Sequence, residues 1–321
     1  MDVRRLRHFV AVAETRHFGR AAERLHMTQP PLSQSIMALE NSLGAKLFTR
    51  SKRSVALTAF AEQWLPEVRA ALGRLDGLAE TARRIQRGET GQLKLSFVST
   101  ADYSLLPSLV QRFRQLYPDV ELTLSEATSD IQTAALLDNA CHAGIIIAPL
   151  HTPLPDALAY RQLLSEPLIA AVPAQWIESG RLVPVDGRLS PAAVVESPLI
   201  LFPRHVAPSF YDRVTDYVRA CGGQPTIAQQ AIQMQTIISL VSAGMGIALV
   251  PASLRHLART GTRYLPLQSR APELETGLVW RREDGSPMLA NLLDVAAAIA
   301  GEQRPPAGGW TDLDEKTAGN V

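Results

Sequence analysis

The sequence predicts an α/β protein in two unequal parts: a small helical unit ending in a basic hairpin and a larger two-lobed domain, joined by one long helix. Three observations carry this expectation. The chain of 321 residues is longer than one hydrophobic core organises. Its charge is divided, with ten Lys or Arg in residues 1–58 against Asp2, Glu14, Glu23 and Glu40 (+6), and 22 against 27 in the remainder (−5). The apolar periodicity is helical up to the "RGETG" segment and alternates between strand and helix beyond it.

Composition narrows the function classes. No run approaches the roughly 18 apolar residues of a membrane span, so no membrane partner is expected. Arg4, Arg5 and Arg7 open an amphipathic pattern broken by Glu14 and Arg16, which is not a signal-peptide core, and the expected location is the cytoplasm. Cys141 and Cys221 stand in separate segments without a Cys or His at metal-ligand spacing. Reduced, partly buried thiols are expected, with no metal and no cofactor.

The first helix is read from Leu6, Phe9, Val10 and Ala13, which share one face. After Gly19, a short second helix carries Ala21, Ala22 and Leu25, whose small alanines let another helix approach. Thr28 is the expected cap of a third helix, with Pro30 and Pro31 in its first turn, where their missing donors cost nothing. Its buried stripe is Leu32, Ile36, Leu39 and Leu43. Gln29, Ser33 and Gln34 then point away from the core, as groove-reading side chains or as an ordinary solvated face. Gly44 ends the helix. Arg50, Lys52 and Arg53 lie in a short basic hairpin closed by Val55 and Leu57, which can lie against the DNA backbone or the minor groove. The combination reads as a winged helix-turn-helix over residues 1–58.

The stretch "LRHFVAVAETRHFGRAAERLHMTQPPLSQSIMALENSLGAKLFTRSKRSVALT" resembles the N-terminal signature of LysR-type transcriptional regulators. The resemblance implies that Gln29, Pro30, Ser33 and Gln34 face double-stranded DNA. Many relatives carry Arg at the position of Gln34, and Gln favours adenine where Arg favours guanine. Phe60 stands where the family usually has Gly.

From Thr58 to about Arg87, Ala61, Leu65, Val68, Leu72, Leu75, Ala79 and Ala82 recur at alternating spacings of four and three. This is a heptad seam along a helix about 45 Å long, set at residues 59–88. It is expected to dimerise through Leu65, Val68, Leu72 and Leu75, the alternative being an amphipathic helix packed on its own domain. Pro66, Gly73 and Gly77 are expected to weaken the helix locally, and "RGETG" to form a hinge.

Residues 89–301 alternate strands and helices: "QLKLSFV", a helix through Leu105, Leu109, Phe113 and Leu116, "VELTLSE", a helix near Ile131–Leu137, and "AGIIIAP". These predict an open, mostly parallel sheet. "PLIAAV", "PLILF", two further helices and "GIALVP" predict a second α/β lobe, with Glu275–Trp280 returning late. This order resembles the periplasmic-binding-protein-like effector domain of the same family. It implies lobe I at 91–162 plus 266–301, lobe II at 163–265, two crossover strands, and a ligand between the lobes. Strand ends and helix N-termini converge there and suit an anion.

By position the cleft candidates are Ser99, Thr100, Thr128, Ser129, Ala148, Phe202, Pro203 and Arg204. The hydroxyls are equally suited to helix capping, Arg204 to a surface ion pair, and Phe202 to the core. The expected effector is a small organic anion, an aromatic or dicarboxylic acid, held by Thr100, Thr128 and Arg204. "FPRHVAPSFYD" most resembles relatives responding to aromatic acids or their ring-cleavage products. Other expected partners are a second copy of the chain, a tetramer once effector-domain contacts are added, and RNA polymerase.

Several signals point nowhere catalytic. The "GMG" at Gly244–Gly246 lacks phosphate-loop spacing and reads as a helix-ending turn. His142, His151, His205 and His256 are too scattered for a metal, and no nucleophile elbow is present. An enzyme on this fold would need a reactive constellation, and a solute-binding protein would need export and no basic helix. Residues 302–321, containing Trp310, are expected to be disordered.

Overall fold

In the computed structural model, residues 2–50 and 54–302 are described. Helix α1 (Val3–Thr15) starts at Asp2, whose carboxylate accepts from the Arg4 N–H, and buries Leu6, Phe9, Val12 and Ala13. The imidazole Nδ1 of His17 accepts from the Gly19 and Arg20 N–H groups and so caps α2 (Phe18–Arg24). Helix α3 (Gln29–Leu43) begins after Thr28 in extended backbone, but the Thr28 side chain accepts no bond; the fixed φ of Pro30 and Pro31 sets the start instead. Gly44 ends α3 with φ +67°, a left-handed conformation that glycine adopts without a Cβ penalty. Strands β1 (Phe48–Arg50) and β2 (Val55–Leu57) pair antiparallel as the hairpin.

Helix α4 (Ala59–Gln86) runs unbroken through Pro66. Thr58 fixes its start: its hydroxyl accepts from Ala61 N–H and donates to the Lys46 carbonyl. Phe60 stacks on Trp64, Trp64 on Phe9, and Phe9 packs on Phe48 at centroid spacings of 6.0, 5.3 and 5.6 Å, an aromatic row that joins α4 to α1 and the hairpin. The heptad seam divides along its length. Ala61, Val68 and Leu72 are buried in the core of their own unit, with Leu65 partly buried beside them. Val68 and Leu72 are therefore filled positions, not partner-facing ones. The exposed apolar stripe keeps Leu75 and Ala82 of that seam, replaces Leu72 and Ala79 by Ala71 and Leu78, and continues to Ile85, again at spacings of four and three.

The chain divides into two units between Arg84 and Ile85. In the second, Gly88 has φ +66°, and a Cβ there would lie 2.6 Å from the Met288 nitrogen. Asn291 Nδ2 donates to the carbonyls of Arg87 and Gly88 at 2.8 and 3.2 Å, so the start of the "RGETG" segment is held to the last helix.

The order of that unit is β3 (Gly91–Phe97), a 3-10 turn (Ser99–Tyr103), α5 (Leu106–Leu116), β4 (Val120–Glu126), α6 (Ser129–Leu137), β5 (Ala143–Ile147), β6 (Leu158–Pro173), α7 (Ala174–Glu178), α8 (Pro191–Glu196), β7 (Leu199–Leu201), α9 (Pro208–Ala220), β8 (Ile227–Gln230), α10 (Met234–Ser242), β9 (Ala248–Pro251), a second 3-10 turn (Ala252–His256), β10 (Thr262–Leu265), β11 (Glu273–Arg281) and α11 (Pro287–Glu302). Gly244, φ +81°, turns the chain out of α10 as the "GMG" reading expects.

The main sheet has the order β10-β6-β11-β5-β3-β4, with β9 also on β6. It is mixed rather than mostly parallel. β3 is parallel to β4 and β5, but β11 runs antiparallel between β5 and β6, and β6 is antiparallel to β9 and β10. Only the crossovers through helices impose parallel pairing; a strand returning from the second lobe is under no such constraint.

One continuous strand joins the lobes. β6 pairs with β11 through Pro167 and with β9 and β10 from Leu168 onward, while the return, residues 266–272, lies outside any strand. Glu166 stands at this change of partners, 4% exposed, accepting from Ser253 N–H at 2.6 Å and Ser253 Oγ at 3.0 Å. Arg53, expected in the basic hairpin, and residues 303–321, expected to be disordered, lie outside the described residues.

Candidate functional site

Two surfaces hold most of the predicted DNA- and ligand-binding residues, one in each unit. On α3, Gln29, Pro30 and Gln34 are exposed and Ser33 is half-buried, placing them one turn apart on the face opposite Leu32, Ile36 and Leu39. Met37, one turn further and 45% exposed, continues that face. The helix is held from behind by His8, whose Nδ1 is 2.8 Å from Ser35 Oγ; burial, with Arg4 nearby, pushes the His8 pKa down.

The hairpin is pinned to α3 by a buried carboxylate. Glu40, 5% exposed, accepts from the Leu47 N–H at 2.9 Å, the Phe48 N–H at 3.4 Å and Lys46 Nζ at 2.9 Å. Burial raises its pKa, but these three donors together outweigh burial and hold it below the usual carboxylate range. Arg50 stands in β1, opposite Val55. The basic charge of the unit is partly neutralised internally, since Arg7 pairs with Asp76, and Arg24 and Arg69 share Glu14.

In the second unit a cavity of about 520 Å³ opens where β3, β4 and β5 end and α6 begins, facing residues of the second lobe. Ser99, Thr100, Thr128, Ser129 and Phe202 line it. None of the hydroxyls caps a helix. Thr100 is 3% exposed and its Oγ1 has no partner; Thr128 Oγ1 donates to the Asp130 carboxylate; Ser129 Oγ accepts from the Ile147 N–H at 3.3 Å. α6 thus starts without a side-chain cap, leaving its first N–H groups available at the cavity. Phe202 serves core and cavity together, packing edge-on against Phe210 at 5.3 Å.

Three predicted residues do not line the cavity. Ala148 is buried and donates its N–H to the Glu275 carbonyl, continuing the β5–β11 ladder. Pro203 turns the backbone, its carbonyl accepting from Val206 and Ala207 N–H. Arg204 is exposed and pairs with Asp212, which corrects its assignment as the ligand's cation.

The cavity instead presents two carboxylates that sequence reasoning missed, Glu126 and Asp130, together with His205; no Lys or Arg is among its lining. Asp102, on the neighbouring 3-10 turn, has its pKa pushed up by burial and then by the charge of Glu126. A signal for Glu126 existed: it ends β4 as Phe97 ends β3, and strand ends face such clefts. Gln132, fully buried, donates to the Ala127 and Ile145 carbonyls and lies so close to Gly144 that a Cβ there would meet its Oε1 at 2.5 Å. This amide fixes the loop carrying Thr128.

Among the described residues no helix is long and apolar enough to cross a membrane, and no group of His, Cys, Asp and Glu is arranged to hold a metal.

Comparison with known proteins gives matches over both units. Residues 3–62 match the family model of bacterial regulatory helix-turn-helix proteins of the lysR family, and residues 86–300 match the LysR substrate binding domain. The chain is 60% identical over 293 residues to the HTH-type transcriptional regulator IlvR of Caulobacter vibrioides, covering 91% of this chain and 96% of that one. It is 35% identical to AlsR of Bacillus subtilis, covering 92% and 95%. Among solved structures, full-length CbnR complexed with its target DNA superposes with a TM-score of 0.79 at 28% identity, covering 94% of this chain and all of that one.

Proposed function

Because the chain belongs to the LysR family of DNA-binding transcriptional regulators, we propose that α3 and its hairpin read a specific operator, and that a small organic carboxylate in the cavity sets the output. It is a regulator with an effector-binding domain and not an enzyme. The observation that carries the reading is an exposed amide-and-hydroxyl face on α3 in the same chain as a walled cavity containing a buried, unpartnered hydroxyl.

In this reading the Gln29 and Gln34 amides pair with base edges, Ser33 serves base or phosphate, Pro30 holds the turn against the groove, and Arg50 and Arg53 take the backbone or minor groove. The effector's carboxylate replaces its hydration with the hydroxyls of Ser99 and Thr100 and the first N–H groups of α6, while Thr128, whose proton goes to Asp130, shapes the rim. An aliphatic or aromatic body fits the walls formed by Ile147, Phe202 and Val206. A dicarboxylate is disfavoured, since two carboxylates already face the cavity. The exposed stripe of α4 supports a homodimer, with a tetramer and RNA polymerase as further partners. A ligand changes DNA binding only as far as it binds two states of the protein with different affinity.

The test is a gel shift of the full-length protein on the DNA upstream of its gene, with unrelated DNA as competitor. Retention that competitor does not remove, and that Gln34→Ala abolishes, is the expected result. Equal competition by unrelated DNA would overturn the reading.

A further inference from the structure

The polar groups of the cavity do not suit a simple carboxylate. Glu126 closes β4 and Asp130 stands in the first turn of α6, so two elements bring carboxylates to the cavity lining, with Asp102 near Glu126 on the 3-10 turn. No ion pair of the described residues involves any of the three, and the remaining ionisable side chain of the lining is His205. The hydrogen bond from Thr128 Oγ1 fixes the orientation of the Asp130 carboxylate without neutralising it. Yet the same cavity offers carboxylate-binding groups: the uncapped start of α6, and the lining residue Thr100, 3% exposed, whose buried hydroxyl has no partner in the protein. A buried hydroxyl left unpaired is costly unless a ligand completes it.

We propose that the ligand is a small zwitterion, an α-amino acid with an apolar side chain, its ammonium group held by Glu126 and Asp130 and its carboxylate by Thr100 and the N-terminus of α6. This rests on the reading of the cavity as the effector site. Each part of such a ligand meets its complement. The ammonium neutralises the two carboxylates of the lining, Glu126 and Asp130. The carboxylate, adjacent to the ammonium by one carbon, meets the helix start from which Asp130 itself projects. The side chain meets Val98, Ile147, Phe202 and Ile232, and the 520 Å³ volume admits a leucine- or phenylalanine-sized body. A carboxylate without the ammonium would enter against the charge of Glu126 and Asp130.

Isothermal titration of the full-length protein with two matched sets tests this: L-leucine, 4-methylpentanoate and 3-methylbutylamine, and L-phenylalanine, 3-phenylpropanoate and 2-phenylethylamine. One amino acid is expected to bind at least about tenfold more tightly than either of its analogues, the scale of one charge-assisted contact. Glu126→Gln and Asp130→Asn should each weaken the amino acid about tenfold while sparing or improving the carboxylate analogue, and Thr100→Val should weaken both. A carboxylate analogue binding as tightly as its amino acid, with sensitivity to Thr100→Val, would overturn the zwitterion and leave the cavity as effector site. An amine binding as tightly as the amino acid, or no member of either set binding, would overturn it as well. An amino acid that binds all three variants like the wild type would place the site elsewhere and remove the underlying reading too.

Discussion

The guanidinium of Arg204 grips both carboxylate oxygens of Asp212, Nε at 2.7 Å from Oδ1 and Nη2 at 3.0 Å from Oδ2. This contact holds the Asp212 carboxyl below the usual carboxylate range, and it commits the one arginine of "FPRHVAPSFYD" to the surface of α9. Arg204→Ala should therefore leave ligand affinity within about twofold of wild type, as expected for an exposed pair remote from the ligand. A titration showing a loss of tenfold or more would return Arg204 to the site.

The second prediction concerns Glu40. Its carboxylate satisfies two backbone N–H groups that begin the hairpin, so Glu40→Leu should destabilise the N-terminal unit by about 1–3 kcal/mol, the cost of leaving buried donors unpaired. The pKa is depressed in the folded state, so this stabilisation is present above the unfolded glutamate pKa and is lost as pH falls through the folded one. Denaturant melts of wild type and variant should converge as pH is lowered below the ordinary carboxylate range. A constant difference down to acid pH would contradict the role.

Glu166 carries the opposite sign. Burial raises its pKa despite the Ser253 contacts, so its ionised form opposes folding. Its contribution to stability is largest below the unfolded pKa and declines as pH rises through the folded one. Relative to Glu166→Gln, the wild-type melting temperature should fall as pH rises above the ordinary glutamate pKa of about 4.3. A difference independent of pH would show that Glu166 does not titrate there.

How much was legible in advance follows from what each residue depends on. The helices of the first unit were readable because Leu32, Ile36 and Leu39 are spaced for one face and Gly44 stops the chain locally. The cavity's hydroxyls were readable from strand ends. The partner-facing side of α4 was not, because Val68 and Leu72 satisfy a heptad pattern equally well within the core of their own unit, and periodicity does not say which surface fills a seam. The mixed sheet was hidden because the direction of β11 depends on a return from the second lobe rather than on any residue within it. Arg204 misled because its partner Asp212 lies eight residues on, across the start of α9.

That division of the seam gives the next prediction. Leu78, 58% exposed on the apolar stripe, should be the position where a charge breaks the dimer. In sedimentation of the full-length protein, Leu78→Asp is expected to lower the association state with an unchanged melting profile. Leu72→Asp, by contrast, should unfold the N-terminal unit, since Leu72 is 8% exposed within its core. Full association of Leu78→Asp would move the interface off this stripe.

The most direct test of the central claim, sequence-specific DNA reading by the exposed face of α3, is selection from a random duplex pool by the full-length protein and by Gln34→Arg. The account predicts a motif with two related half-sites about one DNA turn apart, and in the variant a change from adenine to guanine at one position of each half-site with the rest preserved. Enrichment of no motif, or of the same motif by both proteins, would contradict it.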